Sequence, residues 1–327
     1  MSMSISGPRL ISYGFFVLVL FVIARFDLGA GVMSGLVSYM IMDVTERYLR
    51  SRGVRRLFAR WAALAAFAIM ATALAWIFVT FLRVGMVRLP LLLDTVLPRL
   101  AAFAERYGMD FPADNARELR DLVVSAAKEN SLSIGKTSGL LTRGFFQVII
   151  GLFAAVLRFL SPAAPGHAGN LADSLRLEFN ARVTLFMRSF ERVVGAQVVI
   201  SAFNTLLTAA FLYAMDFHFK TFLMLTTFVF GLVPIVGNVV SNTCIVASGL
   251  IVSERMAMFG LIYLVVIHKL EYLLNSRVLG ESIGTPMWIT LIGLVVGEAL
   301  MGVPGVLLAP ALLHYTREEL RAIPSKA

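Results

Sequence analysis

Of the chain's 327 residues, 58% are hydrophobic and 15% charged. With a mean hydropathy of +0.82, it carries far more apolar surface than a soluble globule can bury and is expected to be a polytopic membrane protein. The net charge of +9 would suit nucleic acid, but the positive residues are mostly arginines beside apolar spans, where they serve topology and anionic lipid instead. The single cysteine, Cys244, excludes an intramolecular disulfide and is expected to be a packing residue.

Taken in chain order, the first apolar stretch is 10–24. It has the length of a signal segment, but Arg25 and Asp27 follow it, a second apolar span begins at once at 28–42, and no small-residue cleavage site intervenes, so it is expected to be a retained span. The next polar loop holds Arg47, Arg50, Arg52, Arg55, Arg56 and Arg60 against Asp43 and Glu46, which predicts a cytoplasmic loop and therefore a cytoplasmic N-terminus. A third span, 61–82, then puts residues 83–136 outside, where eight basic residues nearly balance seven acidic ones. Leu92, Val96, Leu100, Phe103 and Tyr107 recur at helical steps there. A second amphipathic helix is expected after Pro112, with Asp114 as N-cap and Leu119, Leu122, Val123 and Ala126 on one face. The span 140–160 leads to a cytoplasmic linker, 161–192, that is rich first in Pro and Gly and then in Arg. The span 193–215 follows.

Residues 223–252 form an uncharged run of thirty residues interrupted by Pro234 and Gly237. As one helix it would measure about 45 Å against a hydrocarbon core of about 30 Å, so a break is predicted. Helix ends released at such a break need protein or a water-filled cavity around them, and transporters build substrate sites that way. An apolar segment, 257–266, continues into a more polar helix. The stretch 287–301, about 22 Å of helix, is too short to cross unaided. Gly302, Val303, Pro304 and Gly305 are expected to form a turn into the still shorter 306–315, making either a re-entrant hairpin or a pair of kinked crossings. Both versions leave the tail, with Arg317, Arg321 and Lys326, cytoplasmic.

Few polar groups lie inside these segments. Glu298, beside Gly297, would cost about 3 kcal/mol or more as an unpaired charge at bilayer depth, so it should face a cavity, be protonated, or reach interfacial water. Binding a cation or exchanging a proton is its functional reading. Asn238 and Asn242 follow the break and either offer amides to a polar solute or cap the freed helix end. His268, Lys269, Glu271, Tyr272, Asn275 and Arg277 lie at spacings that share helix faces, forming either a structural polar layer or the lining of a cytoplasmic entrance. The four histidines lack metal-ligand spacing, and no nucleophile-elbow, Walker-type or His-Glu-x-x-His motif is present. The reading is therefore not an enzyme, with no cofactor, no metal and no ATP-driven pumping in this chain.

The stretch Phe230-Gly-Leu-Val-Pro234-Ile-Val-Gly237-Asn238 resembles the Pro-x-x-Gly break of the autoinducer-2 exporter family. The tract 268–310 is similar to that family's C-terminal signature: a polar helix, Arg277-Val-Leu-Gly280, a linker to Pro286, then Gly297, Gly302, Gly305 and Pro310. Ser276 stands where the family commonly has proline, and His268-Lys269 replaces a stretch usually richer in Gln, Glu and Asp. The resemblance covers roughly residues 10–320. It implies a secondary transporter or facilitator in a bacterial-type inner membrane, assembled as a homo-oligomer. Some members are linked to export of signals such as autoinducer-2, others to sodium/proton antiport.

The expected protein is thus all-α and polytopic, with about eight membrane segments, including two broken or re-entrant hairpins, plus extracytoplasmic amphipathic helices. Its expected organisation is three N-terminal spans (1–82), the external helical region (83–139), a fourth span and cytoplasmic linker (140–192), a transport core (193–316) and a cytoplasmic tail (317–327). Export of a small polar solute is the leading reading, with possible pathway residues Pro234, Gly237, Asn238, Asn242, His268, Lys269, Glu271, Arg277, Gly297, Glu298 and Gly302. Monovalent cation/proton antiport centred on Glu298 is the alternative within transport, and a non-transporting membrane scaffold is the alternative from another class.

Overall fold

A computed structural model describes residues 7–106, 138–161, 170–233, 236–278 and 286–323. Within them the chain is helical: α1 (Gly7–Arg25), α2 (Gly29–Ser51), α3 (Arg56–Arg106), α4 (Ser138–Leu160), α5 (Leu171–Ala214), α6 (Lys220–Gly231), α7 (Val236–Val252), α8 (Glu254–Val278), α9 (Met287–Met301) and α10 (Val303–Arg321). Four of these, α1, α3, α4 and α5, contain stretches long and apolar enough to cross a membrane. With many large apolar side chains exposed along them, among them Phe21, Trp76, Phe153 and Leu206, they present surface suited to lipid rather than water.

Two expected boundaries are not helix ends. The third span runs unbroken into the region expected outside, giving α3 51 residues, about 77 Å of helix. Likewise α5 carries the basic linker helix and the following span in one piece of 44 residues. The change from apolar to charged side chains is where hydrocarbon is expected to end, but Arg, Leu and Ala all favour helix, so the backbone has no reason to stop there. Pro90 and Pro98 lie inside α3, each withholding one N–H from a helix that its neighbours still favour. At the start of α5, Asn170 Oδ1 accepts from the Asp173 N–H at 2.8 Å, a side-chain cap. The expected helix after Pro112 and the Pro/Gly part of the linker lie outside the described residues.

The chain forms two compact units: Met1–Met70, Thr142–Gly195 and Glu281–Ala327; and Ala71–Leu141 with Ala196–Gly280. In the first, Phe186, Phe190 and Val193 of α5 pack on Leu308, Ala311 and Tyr315 of α10. Helices α2 and α4 cross at glycine: a Cβ on Gly151 would fall 2.0 Å from the Gly31 carbonyl oxygen, and one on Gly35 3.2 Å from that of Gly151. Ser34 Oγ donates to the Val148 carbonyl across this crossing. Helices α9 and α10 form the second expected hairpin, with Gly297 and Gly305 packed backbone to backbone. Its turn is tighter than the expected four residues. Gly302 alone, at φ 61° and ψ −143°, makes the reversal, and Val303 already begins α10. Pro304 fits the first turn of a helix because its missing N–H has no intrahelical acceptor there.

In the second unit, Leu92 and Val96 of α3, Leu212 of α5, Phe222 and Leu223 of α6 and Ile245 of α7 share a core with Phe217. Tyr263 of α8 stacks on Phe211 at 4.2 Å and donates to or accepts from Thr208 at 2.9 Å. Ser253 caps α8 by accepting the Met256 N–H. Gly249 lets α7 lie directly on α8: a Cβ there would sit 2.8 Å from the Met256 carbonyl oxygen.

Candidate functional site

The uncharged run is broken as expected, between the end of α6 at Gly231 and the start of α7 at Val236. Pro234 itself lies outside the described residues. Gly237 sits in the first turn of α7, buried against the end of α6, where an added Cβ would be 1.7 Å from the Phe230 carbonyl oxygen. No side chain larger than hydrogen fits without separating the two helix ends.

Ending a helix strands its last carbonyls, and in hydrocarbon each unsatisfied group costs several kcal/mol. Here they find partners. Gln197 Nε2 donates to the Gly231 carbonyl at 2.7 Å, Ser201 Oγ donates to that of Phe228 at 2.7 Å, and the Val233 N–H reaches that of Phe230 at 2.8 Å. Gln197 and Ser201 belong to a stripe on α5 that continues with Asn204 and Thr208, at steps of four, three and four residues on one helix face. Ser201, Asn204 and Thr208 are buried. The antiparallel register, 197 with 231 and 201 with 228, carries Asn204 to the turn of α6 that holds Thr226. Asn204 Oδ1 and Thr226 Oγ1 are both buried without a hydrogen-bond partner among the described residues. Two such oxygens in an apolar helix pair are costly unless something polar visits them.

Among the expected pathway residues, Asn238 and Glu271 are brought together. Asn238 Nδ2 donates to both Glu271 carboxylate oxygens, at 2.8 and 2.7 Å. The first turn of α7 is thereby tied to α8 by a bidentate, charge-assisted contact. Asn242 lies one turn further along α7, half-buried, while His268 and Lys269 are exposed on α8. Arg277 lies at the end of α8, but its side chain, like those of Tyr272 and Asn275, is outside the described residues. Gly297, Glu298 and Gly302 belong to the hairpin of the other unit. Glu298 is exposed on α9, and no hydrogen bond to its carboxylate forms among the described residues. The residues missed by reading the sequence are Gln197, Ser201, Asn204 and Thr226. The signal for three of them was present as a 4-3 polar repeat within an apolar span.

A separate charged cluster closes one end of the first unit. Glu319 of α10 accepts from Tyr13 Oη at 2.5 Å and from Arg9 at 3.0 Å, and Arg182 stands 3.5 Å away while bonding Glu178 at 2.5 Å. Arg182 is only 4% exposed, and its guanidinium lies 4.7 Å over the Tyr13 ring. Burial alone would push the Glu319 carboxyl up, but the two hydrogen bonds and the arginine charges outweigh it and hold the group below its ordinary range.

Apolar helices of membrane length, together with a helix whose freed end carbonyls are held by side chains of a neighbouring helix, define a helical multi-pass membrane protein. The family profile described as AI-2E family transporter matches residues 10–324, and the chain belongs to that family. Over 127 residues it is 31% identical to "Putative transport protein YdbI" of Bacillus subtilis (strain 168). That stretch covers 38% of this chain and 36% of the relative, so the match spans about a third of the relative's length.

Proposed function

We propose that the chain exports a small polar solute, with the break between α6 and α7 as the core of its pathway. The observation that carries this reading is the polar stripe on α5, buried from Ser201 onward. Its first two members hold the broken helix end, and the next one, Asn204, together with Thr226 offers oxygens that nothing in the described chain satisfies. A polar solute that hydrogen-bonds those oxygens would remove the desolvation penalty they carry, so occupancy and burial favour one another. The Asn238–Glu271 contact fixes the other side of the break and supports a role for it in setting how far α7 can move from α6. A signal such as autoinducer-2 belongs to this class of solute. A location in a bacterial-type inner membrane, cytoplasmic termini and assembly with further copies are parts of the same proposal, supported by the arginine-rich loop after Met42 and by the family.

Flux into sealed vesicles containing the purified protein tests it. Asn204→Leu and Thr226→Val should each reduce uptake of a transported polar solute at least tenfold while leaving insertion and elution volume unchanged. Normal uptake in both variants would remove the stripe from the pathway. Cysteine labels near Arg52 should react only from the cytoplasmic side, and labels near Asp110 only from outside.

A further inference from the structure

The first unit contains a cavity of about 710 Å³ among α2, α4 and α5, within the size range of pockets that hold lipophilic small molecules. The glycine crossing creates it. Gly31, Gly35 and Gly151 bring the α2 and α4 backbones together and leave no side chains to fill the space beside them. Along α2 the lining runs from Leu28 to Arg47, about 28 Å of helix, close to the thickness of a hydrocarbon core.

Polarity along α2 and α4 is one-sided. Their lining passes from Leu28, Leu36 and Ile150 to Asp43, Arg47 and Arg158, and α5 adds Val183, Arg188 and Glu191, the last bonded to Arg47. Arg47 bonds both Asp43 and Glu191, and those hydrogen bonds and charges hold its guanidinium above the ordinary arginine range. That set leaves one net negative charge. Arg158 and Arg188 are exposed and form no hydrogen bond or ion pair among the described residues, so the charged end carries a net positive charge and two free guanidinium forks.

We infer that this cavity holds one anionic phospholipid, its acyl chain laid along α2 and α4 and its phosphate bound by Arg158 and Arg188. A guanidinium matches phosphate oxygens in geometry as well as in charge, and basic pockets between membrane helices are where anionic head groups bind. The apolar length selects a lipid over a free anion, because inorganic phosphate would use the arginines and leave the slot empty. The site does not depend on which solute is transported.

Native mass spectrometry of the full-length protein, stripped of lipid in detergent and offered phosphatidylglycerol or phosphatidylcholine, tests the inference. Phosphatidylglycerol should be retained at one per protomer, with at least a tenfold preference over phosphatidylcholine. Arg158→Gln with Arg188→Gln should bring that preference close to unity with unchanged helicity and elution volume. Ala154→Trp, which fills the apolar part and spares both arginines, should lower retention of both lipids. Equal retention of the two lipids by the wild-type protein would overturn the proposal, as would a double glutamine variant that keeps its preference. Competition by inorganic phosphate would reassign the arginines to a free anion. Efficient cross-linking between copies through a cysteine at Ala154 would reassign the cavity to a second copy. Either result rejects the lipid.

Discussion

Asn238 and Glu271, 33 residues apart, meet through one amide nitrogen that donates to both carboxylate oxygens. Only the amide NH₂ can donate to an ionised carboxylate, so the contact fixes the orientation of Asn238 as well as its partner. It couples the residue that follows the helix break to the helix that turns polar.

Removing one partner should therefore be worse than an ordinary surface change. Asn238→Ala should destabilise the protein by about 1–3 kcal/mol, the range for a hydrogen bond to a charged group. Asn238→Asp should lower the unfolding midpoint further, because it sets two carboxylates against each other. Equal midpoints for the Ala and Asp variants in a thermal melt would mean that Glu271 is not held as a carboxylate.

Gly237→Ala is predicted to reduce vesicle uptake more than expression, and Gly237→Leu to do so more strongly, because even a methyl group collides with the Phe230 carbonyl. Gly195→Ala is the control, since a Cβ there meets nothing within 4 Å, and it should leave both readouts unchanged. If Gly237→Ala transports like the control, the break relaxes freely and is a packing kink only.

The side chains that satisfy the end of α6 should each matter by about 1–3 kcal/mol, the cost of orphaning a buried acceptor. Gln197→Leu and Ser201→Ala release carbonyls three residues apart on the same helix end, Gly231 and Phe228. Their effects on the unfolding midpoint should couple in a double-mutant cycle. Strict additivity would show that each carbonyl finds another partner alone.

Glu319 sets an acid limit. Its folded carboxyl is held below the ordinary range, so the stabilisation is fully present above the unfolded value of about 4.3 and is lost as pH falls through the lower folded value. The wild-type protein should exceed Glu319→Gln in unfolding midpoint by a constant margin near neutrality, and that margin should shrink on acidification below about pH 4. A margin that persists at the lowest pH would point to packing rather than charge.

Proton coupling through Glu298 has a clean test, because Glu298→Gln keeps shape but cannot ionise. If cation/proton antiport is the activity, this variant should lose the dependence of flux on an imposed pH gradient while its oligomer size on gel filtration stays the same. Unchanged pH dependence would leave Glu298 as an interfacial residue of the α9–α10 hairpin.

Much of the fold was legible because its causes are local. Apolar length against bilayer thickness led to the spans, Pro234 and Gly237 to the break, and Gly302 to the reversal, since only glycine holds φ 61° with ψ −143° without strain. Helix ends did not follow polarity. The charged border after residue 82, where the third expected span ends, and the one at residue 192, where the fifth begins, both lie inside a continuous helix, α3 and α5, because the backbone responds to propensity rather than to polarity.

Contacts between distant segments needed the tertiary structure. The shared face of Gln197, Ser201, Asn204 and Thr208 went unread within an apolar span, and although Asn238 was placed after the break, a face has no partner until helices pack. The pairing of Gln197 with the Gly231 carbonyl depends on the packing register of α5 against α6, and that of Asn238 with Glu271 on how α7 lies against α8. Glycines such as Gly249, which touches α8 directly, help set that second register. Composition determined by itself that this is a membrane protein, and the position of Pro234 and Gly237 in an over-long apolar run that one of its helices breaks. Only packing decided which side chains meet the broken ends, because the free energy of a buried polar atom depends on its nearest partner and not on its place in the chain.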